Sequence, residues 1–298
     1  MNAPASGPEK IVFIINPIAG GKEDRNVKDQ INNHLDPVRW TPDFNVTRQQ
    51  GDAGRFCAHA LSNGAKAVVA VGGDGTIHEV AAKLTGTSIP LGIIPTGSGN
   101  GLARHLGIPL HVKGAVELIN RKQVRQIDTG RINGKPFISL AGVGFDALVA
   151  NKFAGSRQRG FITYLRIVLR EYLTYQPERR LVVTDDGNEI ITTALLIVCA
   201  NAGQFGYNIR IAPSADLSDG LLDLCILEKP PLLAAPVMVM QLLTGRIANS
   251  RYATMIRCRK MTIRSEDDQL VNLDGEAVHM GREFLIETVP ASLGILSK

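Results

Sequence analysis

A run of buried-type residues that leads directly into a glycine-rich turn and a helix is the feature that most constrains this fold. Five apolar residues, Ala67–Val71, are followed by Gly72-Gly73-Asp74-Gly75-Thr76, and apolar residues then recur at helical spacing from Ile77 to Leu84. A short apolar strand followed by a helix is typical of a parallel sheet covered by helices. Glycines let main-chain N–H groups turn toward an anion, and a helix N-terminus adds partial positive charge. The pattern therefore predicts a phosphate site in this turn.

Asp74 is the unusual residue of that turn. A carboxylate beside a phosphate repels it unless a cation such as Mg²⁺ lies between them, or unless the carboxylate orients a ribose or another side chain. A simple helix cap on a tight turn would explain one glycine and one Asp or Thr. It would not explain three glycines around one acid, so a nucleotide site is the preferred interpretation.

Two further polar turns follow predicted strands. Leu91–Ile94 leads into Pro95-Thr96-Gly97-Ser98-Gly99-Asn100-Gly101, and Ile11–Ile15 leads into Asn16-Pro17-Ile18-Ala19-Gly20-Gly21-Lys22. Because ligands of such sheets bind at the carboxyl ends of the strands, we expect the three turns to meet at one edge. None of them has the Walker A or the dinucleotide-binding glycine spacing. Lys22 is a candidate cation for the phosphates.

Strand and helix patterns alternate in the first part of the chain and strands dominate the second, which predicts an α/β domain followed by a β-rich domain. The predicted boundaries are 1–130 and 131–289, with 290–298 expected to pack back on the first domain. In the first domain we predict strands at Ile11–Ile15, Asn45–Arg48, Ala67–Val71 and Leu91–Ile94, and helices near Glu23–Leu35, Ala53–Leu61, Thr76–Leu84 and Gly99–His105.

Two helices and a hairpin interrupt or join the strands of the second domain. Helical spacing covers Phe161–Tyr172 and Leu232–Leu243, and Asp185-Asp186-Gly187-Asn188 predicts a hairpin turn. A change in the apolar face within Met255–Arg264 indicates a bulge. The predicted strands are Phe137–Val143, Leu181–Thr184, Ile190–Ala200, Leu221–Leu227, Met255–Arg264, Gln269–Leu273 and Phe284–Val289.

Composition and charge narrow the class of partner. The net charge of +5 suits a nucleotide or an acidic membrane face, and equally a plain solvated surface. Aromatic residues make up 5% of the chain and do not interleave with a basic stripe, so no nucleic acid is expected as a partner. No Cys-x-x-Cys pair occurs among the four cysteines, and no apolar run is long enough for a signal peptide or a spanning helix. We expect a reduced, cytoplasmic protein that associates peripherally with membranes if its substrate is a lipid.

The turns together resemble the catalytic domain of the diacylglycerol kinase and sphingosine kinase superfamily, as found in soluble bacterial lipid kinases. Asn16-Pro17, Gly72–Thr76 with Glu79, and the Pro95–Asn100 turn carry the likeness in the first domain. In the second domain, Pro213–Asp223 is similar to the stretch that holds a structural Mg²⁺ in soluble bacterial members, and Asn272-Leu273-Asp274-Gly275-Glu276 is similar to the late Asp-Gly-Glu motif. The resemblance extends from about residue 11 to about 290. It implies an NAD kinase/diacylglycerol kinase-like α/β domain and a sandwich-like second domain.

The same resemblance implies the activity and the residues that support it. It implies ATP- and Mg²⁺-dependent phosphorylation of a lipid hydroxyl, with Asp74, Asp274 or Glu276 as candidate catalytic groups. It implies a second metal held by the Asp219 carboxylate and the carbonyls of Asp216 and Leu221. It implies nucleotide contacts from Asn16, Thr47, Gly72, Gly73, Asp74, Gly75, Thr76, Ser98 and Asn100, with Glu79 supporting the loop.

Two positions depart from the diacylglycerol kinase pattern and leave the substrate open. Gly101 stands where many diacylglycerol kinases have an acid, and His78 stands where bacterial ones often have Asn; both variants look more like sphingosine-type kinases. Diacylglycerol is the first expectation, with a sphingoid base or phosphatidylglycerol as alternatives. A kinase for a soluble substrate such as NAD and a regulator without catalysis are the other hypotheses.

The remaining expectations concern the acceptor lipid and the membrane. Contact with the membrane surface is expected to be transient, and a monomer and a homodimer both stay open. Arg166 is a candidate phosphate contact on a helix whose arginine face is otherwise solvated. The candidate acyl-chain contacts, each of which would serve equally well in the core, are Phe145, Phe153, Phe161, Phe205 and Tyr207.

Overall fold

The structure is a computed structural model that describes residues 7–19, 26–156 and 160–298. The chain divides into two compact units, one formed by Met1–Ile127 with Ser292–Lys298 and the other by Asp128–Ala291. Lys22, the candidate cation for the phosphates, lies outside the described residues. An α/β unit followed by a β-rich unit confirms the predicted fold class.

The first unit is a parallel sheet with helices between its strands. Strand β1 pairs in parallel with both β2 and β3, and β3 pairs in parallel with β4, giving the order β2-β1-β3-β4. Ile295, in the last strand of the chain, pairs in parallel with Leu91. The elements are β1 (Glu9–Ile15), α1 (Val27–His34), β2 (Trp40–Val46), α2 (Asp52–Ser62), β3 (Ala67–Gly72), α3 (Asp74–Leu84), β4 (Leu91–Pro95), α4 (Gly101–His105), α5 (Val112–Asn120) and β5 (Val124–Ile132), which ends in the second unit.

The burial of each strand explains whether its position can be predicted from the sequence. Every residue of β3 and β4 is buried, as their continuous apolar runs predict. Strand β2 pairs with β1 along Trp40–Val46, so the prediction of a strand at Asn45–Arg48 is wrong. Most of β2 is exposed and it contains Pro42, which an edge strand tolerates, so the apolar run that marks a central strand is missing. Helix α5, which the sequence analysis missed, packs Ile119 close to Gly92 of β4.

The second unit packs two antiparallel sheets against each other. One sheet has the order β14-β13-β10-β7-β16-β17. In the other sheet the neighbouring strands are β18-β15-β8-β9. The remaining elements are β6 (Lys135–Phe137), β7 (Leu140–Gly144), α6 (Phe145–Ala154), α7 (Phe161–Thr174), β8 (Arg180–Thr184), β9 (Glu189–Thr192), β10 (Leu196–Ala200), β11 (Gln204–Gly206), β12 (Ile209–Arg210), β13 (Leu222–Leu227), α8 (Ala235–Thr244), a 3-10 turn (Ile247–Asn249), β14 (Ala253–Cys258), β15 (Lys260–Ser265), β16 (Gln269–Leu273), β17 (Glu276–Met280) and β18 (Glu283–Leu296), which ends in the first unit.

Side chains from both sheets form the core of this unit. Ile197 and Leu224 from the first sheet share one buried cluster with Ile263 and Phe284 from the second. The predicted hairpin is confirmed, because β8 and β9 pair in antiparallel fashion around Gly187, whose φ is +83°. A sandwich of this kind is what a β-rich region with alternating polar and apolar positions forms.

Three predicted strands differ from the structure. Met255–Arg264 is two strands, because β14 pairs with β13 in one sheet and β15 pairs with β8 and β18 in the other. The change of apolar face is therefore a change of sheet, and the predicted bulge is wrong. Phe137–Val143 and Ile190–Ala200 are also interrupted, at residues 138–139 and 193–195. Helix α6 was missed, since its position directly after a strand hides its period.

Helix α7 forms where the sequence predicts it, but its apolar residues divide between two faces. Tyr164 and Val168 pack against a buried cluster, whereas Leu165 and Leu169 are exposed. The apolar residues at helical spacing therefore do not all face the core. No helix in the described residues combines the length and hydropathy that crossing a membrane requires.

Candidate active site

The polar turns of the first unit lie at the carboxyl ends of adjacent parallel strands. Asn16 follows β1, and its main-chain N–H donates to the carbonyl of Val71 in β3 over 2.9 Å. Its side-chain Nδ2 donates to Oγ1 of Thr76, at the start of α3, over 3.2 Å. Strands β1 and β3 are the central pair from which the connections leave in opposite directions, and ligands of open α/β sheets bind at such a point. Asn16 and Thr76 thus border the predicted crevice.

The two glycine turns touch each other at Gly73 and Gly97. A Cβ atom on Gly97 would lie 2.4 Å from the Cα of Gly73, and one on Gly73 would lie 3.2 Å from the Cα of Gly97. The N–H of Thr96 also donates to the carbonyl of Gly72 over 2.9 Å. Main chain therefore meets main chain here without intervening side chains, and this explains why both turns need glycine.

Asp74 joins the start of α3 to the start of α4. Its Oδ1 accepts a hydrogen bond of 2.7 Å from the main-chain N–H of Gly101. Asn100, just before Gly101, has φ of +50° and donates from Nδ2 to the carbonyl of Gly97 over 2.7 Å. Its buried Oδ1 has no hydrogen-bond partner among the described residues. The Asp74 carboxylate thus fixes the second turn as well as carrying negative charge. The half-buried Ser98 lies in the same turn.

Thr76 and Thr47 are buried on either side of the end of β1. A Cβ on Gly72 would lie 2.5 Å from Oγ1 of Thr76, so this hydroxyl reaches back over the strand end. Oγ1 of Thr47 donates to the carbonyl of Ile15 over 3.3 Å. Both hydroxyls are held by main chain or by neighbouring polar groups, and their contacts with a nucleotide stay a prediction. Gly75 is the second residue of α3.

Glu79 connects α3 to the N-terminus of α2. Its Oε1 accepts from the N–H of Gly51 over 2.9 Å, and its Oε2 accepts from the N–H of Gly54 over 3.1 Å. These are N–H groups that the first turn of a helix leaves without intrahelical partners. Glu79 thus holds the N-terminus of α2, and its support of the nucleotide loop stays a prediction.

In the second unit, Asp274 and Gly275 form the two-residue turn between β16 and β17. Their φ angles are +50° and +99°, and Leu273 pairs with Glu276 across the hairpin. Positive φ at both positions is the geometry that Asp-Gly favours in a tight hairpin. The half-buried Glu276 begins β17 directly after this turn.

The Asp274 carboxylate accepts three main-chain hydrogen bonds. Oδ2 accepts from the N–H of Ile138 over 2.7 Å, and Oδ1 accepts from Ser139 and Leu140 over 2.7 and 2.9 Å. The N–H of Asp274 in turn donates to the carbonyl of Leu140 over 3.0 Å. Asp274 therefore satisfies the N–H groups exposed where the predicted strand breaks between β6 and β7. The sequence analysis did not foresee this structural role.

A buried pair that the sequence analysis missed supports the same turn. Asn272 donates from Nδ2 to Oδ2 of Asp146 over 3.2 Å and accepts from the N–H of Gly275 at Oδ1 over 2.8 Å. Asp146 is 7% exposed, and within the part of the chain that the structure describes its Oδ1 has no side-chain or main-chain hydrogen-bond partner. A Cβ on Gly142, which pairs with Asn272 across the sheet, would lie 1.9 Å from Oδ2 of Asp146. Burial raises the pKa of Asp146 to about 7, opposed by the hydrogen bond from Asn272.

The predicted metal ligands lie in the turn that precedes β13. Oδ1 of Asp216 accepts from the N–H and hydroxyl of Ser218, and Oδ1 of Asp219 accepts from the N–H of Leu221 over 3.0 Å. Nη1 of Arg257 lies 4.0 Å from Oδ2 of Asp219. One carboxylate and two carbonyls form a hard oxygen donor set of the kind Mg²⁺ takes when water completes its shell. Within the described residues, no cluster of three or more His, Cys, Asp or Glu side chains could hold a metal.

An acid anchors that turn from a distant part of the sequence. Oδ2 of Asp128 accepts from the N–H of Gly220, and Oδ1 accepts from the N–H of Ala291, both over 2.7 Å. The N–H of Asp128 donates to the carbonyl of Leu217 over 2.6 Å. Asp128 is buried, so these bonds hold the turn in one conformation. Its short segment carries no motif that would have identified it.

Two family models match the chain. The diacylglycerol kinase catalytic domain matches residues 10–132, and the YegS C-terminal NAD kinase beta sandwich-like domain matches residues 139–297. The second match covers more than half of the chain. Together they follow the α/β part and the β-rich part in turn, and the family resemblance read from the motifs is confirmed.

Curated relatives agree with these matches. A diacylglycerol kinase of Mycobacterium tuberculosis is 37% identical over 184 residues, which cover 59% of this chain and 60% of that protein. A protein of Pectobacterium atrosepticum named "Probable lipid kinase YegS-like" is 30% identical over 286 residues, which cover 93% of each chain.

Solved structures share the fold along the whole chain. A structure from Bacillus anthracis str. Sterne matches with a TM-score of 0.83 and 22% identity, covering 100% of this chain and 98% of the other. A structure described as a diacylglycerol kinase from the same organism matches with a TM-score of 0.73 and 20% identity over 97% of both chains. At this identity the likeness speaks for the fold alone. The family models and the relative from Pectobacterium atrosepticum show that the chain belongs to the diacylglycerol kinase family of lipid kinases, with a YegS-type second domain.

Proposed function

We propose that this protein transfers the γ-phosphoryl group of ATP to the hydroxyl of a membrane lipid, with diacylglycerol as the first candidate. The observation that carries the proposal is the main-chain contact between Gly73 and Gly97 beside Asp74, at the carboxyl end of a parallel sheet. Family membership supplies the reaction class, and kinases of this family use ATP.

The first-unit turns are suited to phosphate because they offer main-chain N–H groups without side chains in the way. The N-terminus of α3 adds partial positive charge next to Gly73 and Asp74. Asn16, Thr47, Thr76, Ser98 and Asn100 border the same edge with polar side chains. In phosphoryl transfer, positioning and charge neutralisation supply most of the rate, so a rigid arrangement of this kind is what the reaction needs.

Asp74 makes sense in this site if a divalent cation accompanies the nucleotide. Mg²⁺, when bound, would neutralise phosphate charge and let the Asp74 carboxylate lie near the phosphates. Asp74 itself holds the second glycine turn through Gly101 and contributes negative charge at the edge. A second Mg²⁺ on the Asp219 carboxylate and the carbonyls of Asp216 and Leu221 is supported by the hard oxygen donors in that turn.

Glu276 is the better candidate for the base that accepts the lipid hydroxyl proton. The two oxygens of Asp274 already accept three main-chain N–H groups, so this carboxylate is engaged in holding the chain where β6 and β7 break. Glu276 follows the same turn on β17. In the proposed step, the hydroxyl proton moves to Glu276 and the hydroxyl oxygen bonds to the γ-phosphorus. The bond from that phosphorus to the bridging oxygen of ADP breaks.

The experiment is Mg²⁺-dependent transfer of labelled γ-phosphate from ATP onto separate micellar lipids. The panel contains diacylglycerol, phosphatidylglycerol, ceramide and sphingosine, with NAD⁺ as a soluble acceptor and Glu276→Gln as a matched variant. Labelling of one lipid that falls at least about 10²-fold in the variant supports the proposal. Labelling of NAD⁺ alone would assign a soluble substrate instead. ATP binding without transfer to any acceptor would favour a regulator, the remaining alternative.

A further inference from the structure

Helix α7 exposes an apolar face that the core of the protein does not use. Tyr164, Ile167, Val168 and Tyr172 pack against a buried cluster of the second unit. On the opposite side, Ile162, Leu169 and Leu173 are 74%, 62% and 64% exposed. A soluble helix normally places polar residues on its outer face, so this face is expected to have an apolar partner.

A second exposed apolar segment meets the first at its C-terminal end. Leu233 is 95% exposed just before α8, and Val237 and Met240 are 60% and 58% exposed on that helix. Tyr172 donates from its hydroxyl to the carbonyl of Pro230 over 2.6 Å, and Leu173 lines one cleft of about 400 Å³ together with residues 229–232. The end of α7 and the turn before α8 therefore adjoin. The exposed apolar residues of α7, of this turn and of α8 are together named the α7–α8 surface.

The charges around this surface are predominantly positive. Helix α7 (Phe161–Thr174) and residues 229–256 contain five Lys or Arg residues and one acid, Glu171. Arg166 directly follows Leu165 in α7, and Arg170 directly follows Leu169. Arg246 lies two residues after the end of α8. In the part of the chain that the structure describes, none of the ion pairs includes these three arginines.

Apolar side chains surrounded by uncompensated arginines match one kind of partner. The boundary region of an anionic bilayer offers hydrocarbon for the leucines and phosphate for the arginines. A second copy of this chain would match the apolar residues but would bring like charges together. Charge complementarity therefore favours the membrane over self-association.

We propose that the α7–α8 surface is the face by which this protein docks on an anionic phospholipid bilayer. The proposal deepens the lipid kinase function proposed above, which supplies the reason for docking, while its evidence is the exposure and charge of the surface itself. Leu165, Leu169, Leu173 and Leu233 enter the headgroup boundary, and Arg166 and Arg170 contact lipid phosphates.

The test is co-sedimentation with vesicles of phosphatidylcholine alone or with added phosphatidylglycerol, without nucleotide. A triple variant, Leu169→Gln with Leu173→Gln and Leu233→Gln, is compared with Ile191→Gln, which changes a residue of the same unit that is 61% exposed on β9. We expect wild type and the Ile191 variant to sediment with the anionic vesicles. The affinity of the triple variant for the anionic vesicles is expected to fall at least about ten-fold. Arg166→Gln with Arg170→Gln is expected to remove the preference for anionic vesicles.

Three results would overturn the proposal. Wild type could fail to bind either kind of vesicle, the triple variant could bind like wild type at an unchanged melting temperature, or a dimer could dissociate in the triple variant while no vesicle binding is seen. The last result would assign the surface to a second copy. Because binding is measured without ATP, an inactive protein that still binds would leave docking standing and count only against the kinase proposal. A protein that phosphorylates dispersed short-chain diacylglycerol but does not bind vesicles would support the kinase proposal and contradict the docking proposal.

Discussion

The main-chain N–H of Gly101 donates a 2.7 Å hydrogen bond to Oδ1 of Asp74, and this bond ties the two glycine turns of the first unit together. Many diacylglycerol kinases have an acid at the position of Gly101, and here that position contributes its main chain instead. The acid of the first turn therefore holds the second turn, and in the proposed function it also supplies charge beside the phosphates. The two roles can be separated by substitution.

Asp74→Asn is expected to keep the first role and lose the second, because an amide oxygen can still accept from Gly101. The free energy of unfolding should change by less than about 0.5 kcal/mol, while phosphoryl transfer falls about 10²-fold or more. Asp74→Ala should lose transfer equally and also lose about 1.5–3 kcal/mol of stability. Urea denaturation and γ-phosphate transfer on both variants measure the difference. An active Asp74→Asn variant would contradict the proposed charge role.

Gly97→Ala is expected to separate the two glycine turns. The added Cβ would lie 2.4 Å from the Cα of Gly73, and main chain cannot move aside as a flexible side chain can. We expect a loss of about 1–3 kcal/mol in unfolding free energy and loss of ATP binding by calorimetry.

Gly54→Ala is the matched control for Gly97→Ala. Its Cβ would lie 3.5 Å from the nearest atom, in helix α2 of the same unit. There we expect a gain of up to about 1 kcal/mol, because alanine favours the helix, with ATP binding retained. Equal behaviour of the two variants would show that the contact between Gly73 and Gly97 does not matter.

Much of the first unit could be predicted because its central strands are buried on both faces. Continuous apolar runs mark β3 and β4, and the glycine turns after them identify the edge where polar groups collect. Strand β2 could not be located in the same way, since an edge strand with one partner tolerates exposed residues and Pro42. The local sequence therefore indicates which strands are buried, but it does not indicate which strands pair with each other.

The second unit contains features that depend on tertiary contacts and therefore cannot be predicted from the spacing of residues along the chain. Leu165 and Leu169 satisfy helical spacing whether they face a core or solvent, so their exposure depends on what packs against α7. The pairing of Asp146 with Asn272 joins residues 126 positions apart. The Asp-Gly-Glu motif was recognised, but the three N–H groups that Asp274 accepts come from a strand break that only tertiary structure reveals.

We expect Asp274→Asn to lower stability and Glu276→Gln to lower the rate of phosphoryl transfer. Asparagine tolerates the positive φ of position 274, but only one of its side-chain atoms can accept, so an NH₂ group would face one or more of the N–H groups of residues 138–140. This variant should lose about 1–3 kcal/mol in unfolding free energy. Glu276→Gln should unfold like wild type while kcat falls about 10²–10⁴-fold. A large loss of kcat in a stable Asp274→Asn variant, with Glu276→Gln active, would make Asp274 the base.

Asp146→Asn is expected to remove a pH dependence of stability. Burial raises the pKa of Asp146 from 3.8 to about 7, so between these values the unfolded state has lost a proton that the folded state keeps. Stability from this group therefore falls as pH rises through that window and is constant above it. The amide has no charge and can still accept from Asn272. Urea denaturation at pH 4, 5.5 and 8 should show the variant gaining relative to wild type as pH rises, and a constant difference would contradict the burial effect.

The most direct test of the central claim is to follow ADP release and lipid product together with diacylglycerol micelles, ATP and Mg²⁺. Mass spectrometry of the extracted lipid identifies the product, and a coupled assay counts ADP. The account predicts one phosphatidic acid for each ADP with wild type, and neither product above background with Glu276→Gln. Release of ADP without a phosphorylated lipid, from any lipid offered, would contradict the assignment of this protein as a lipid kinase.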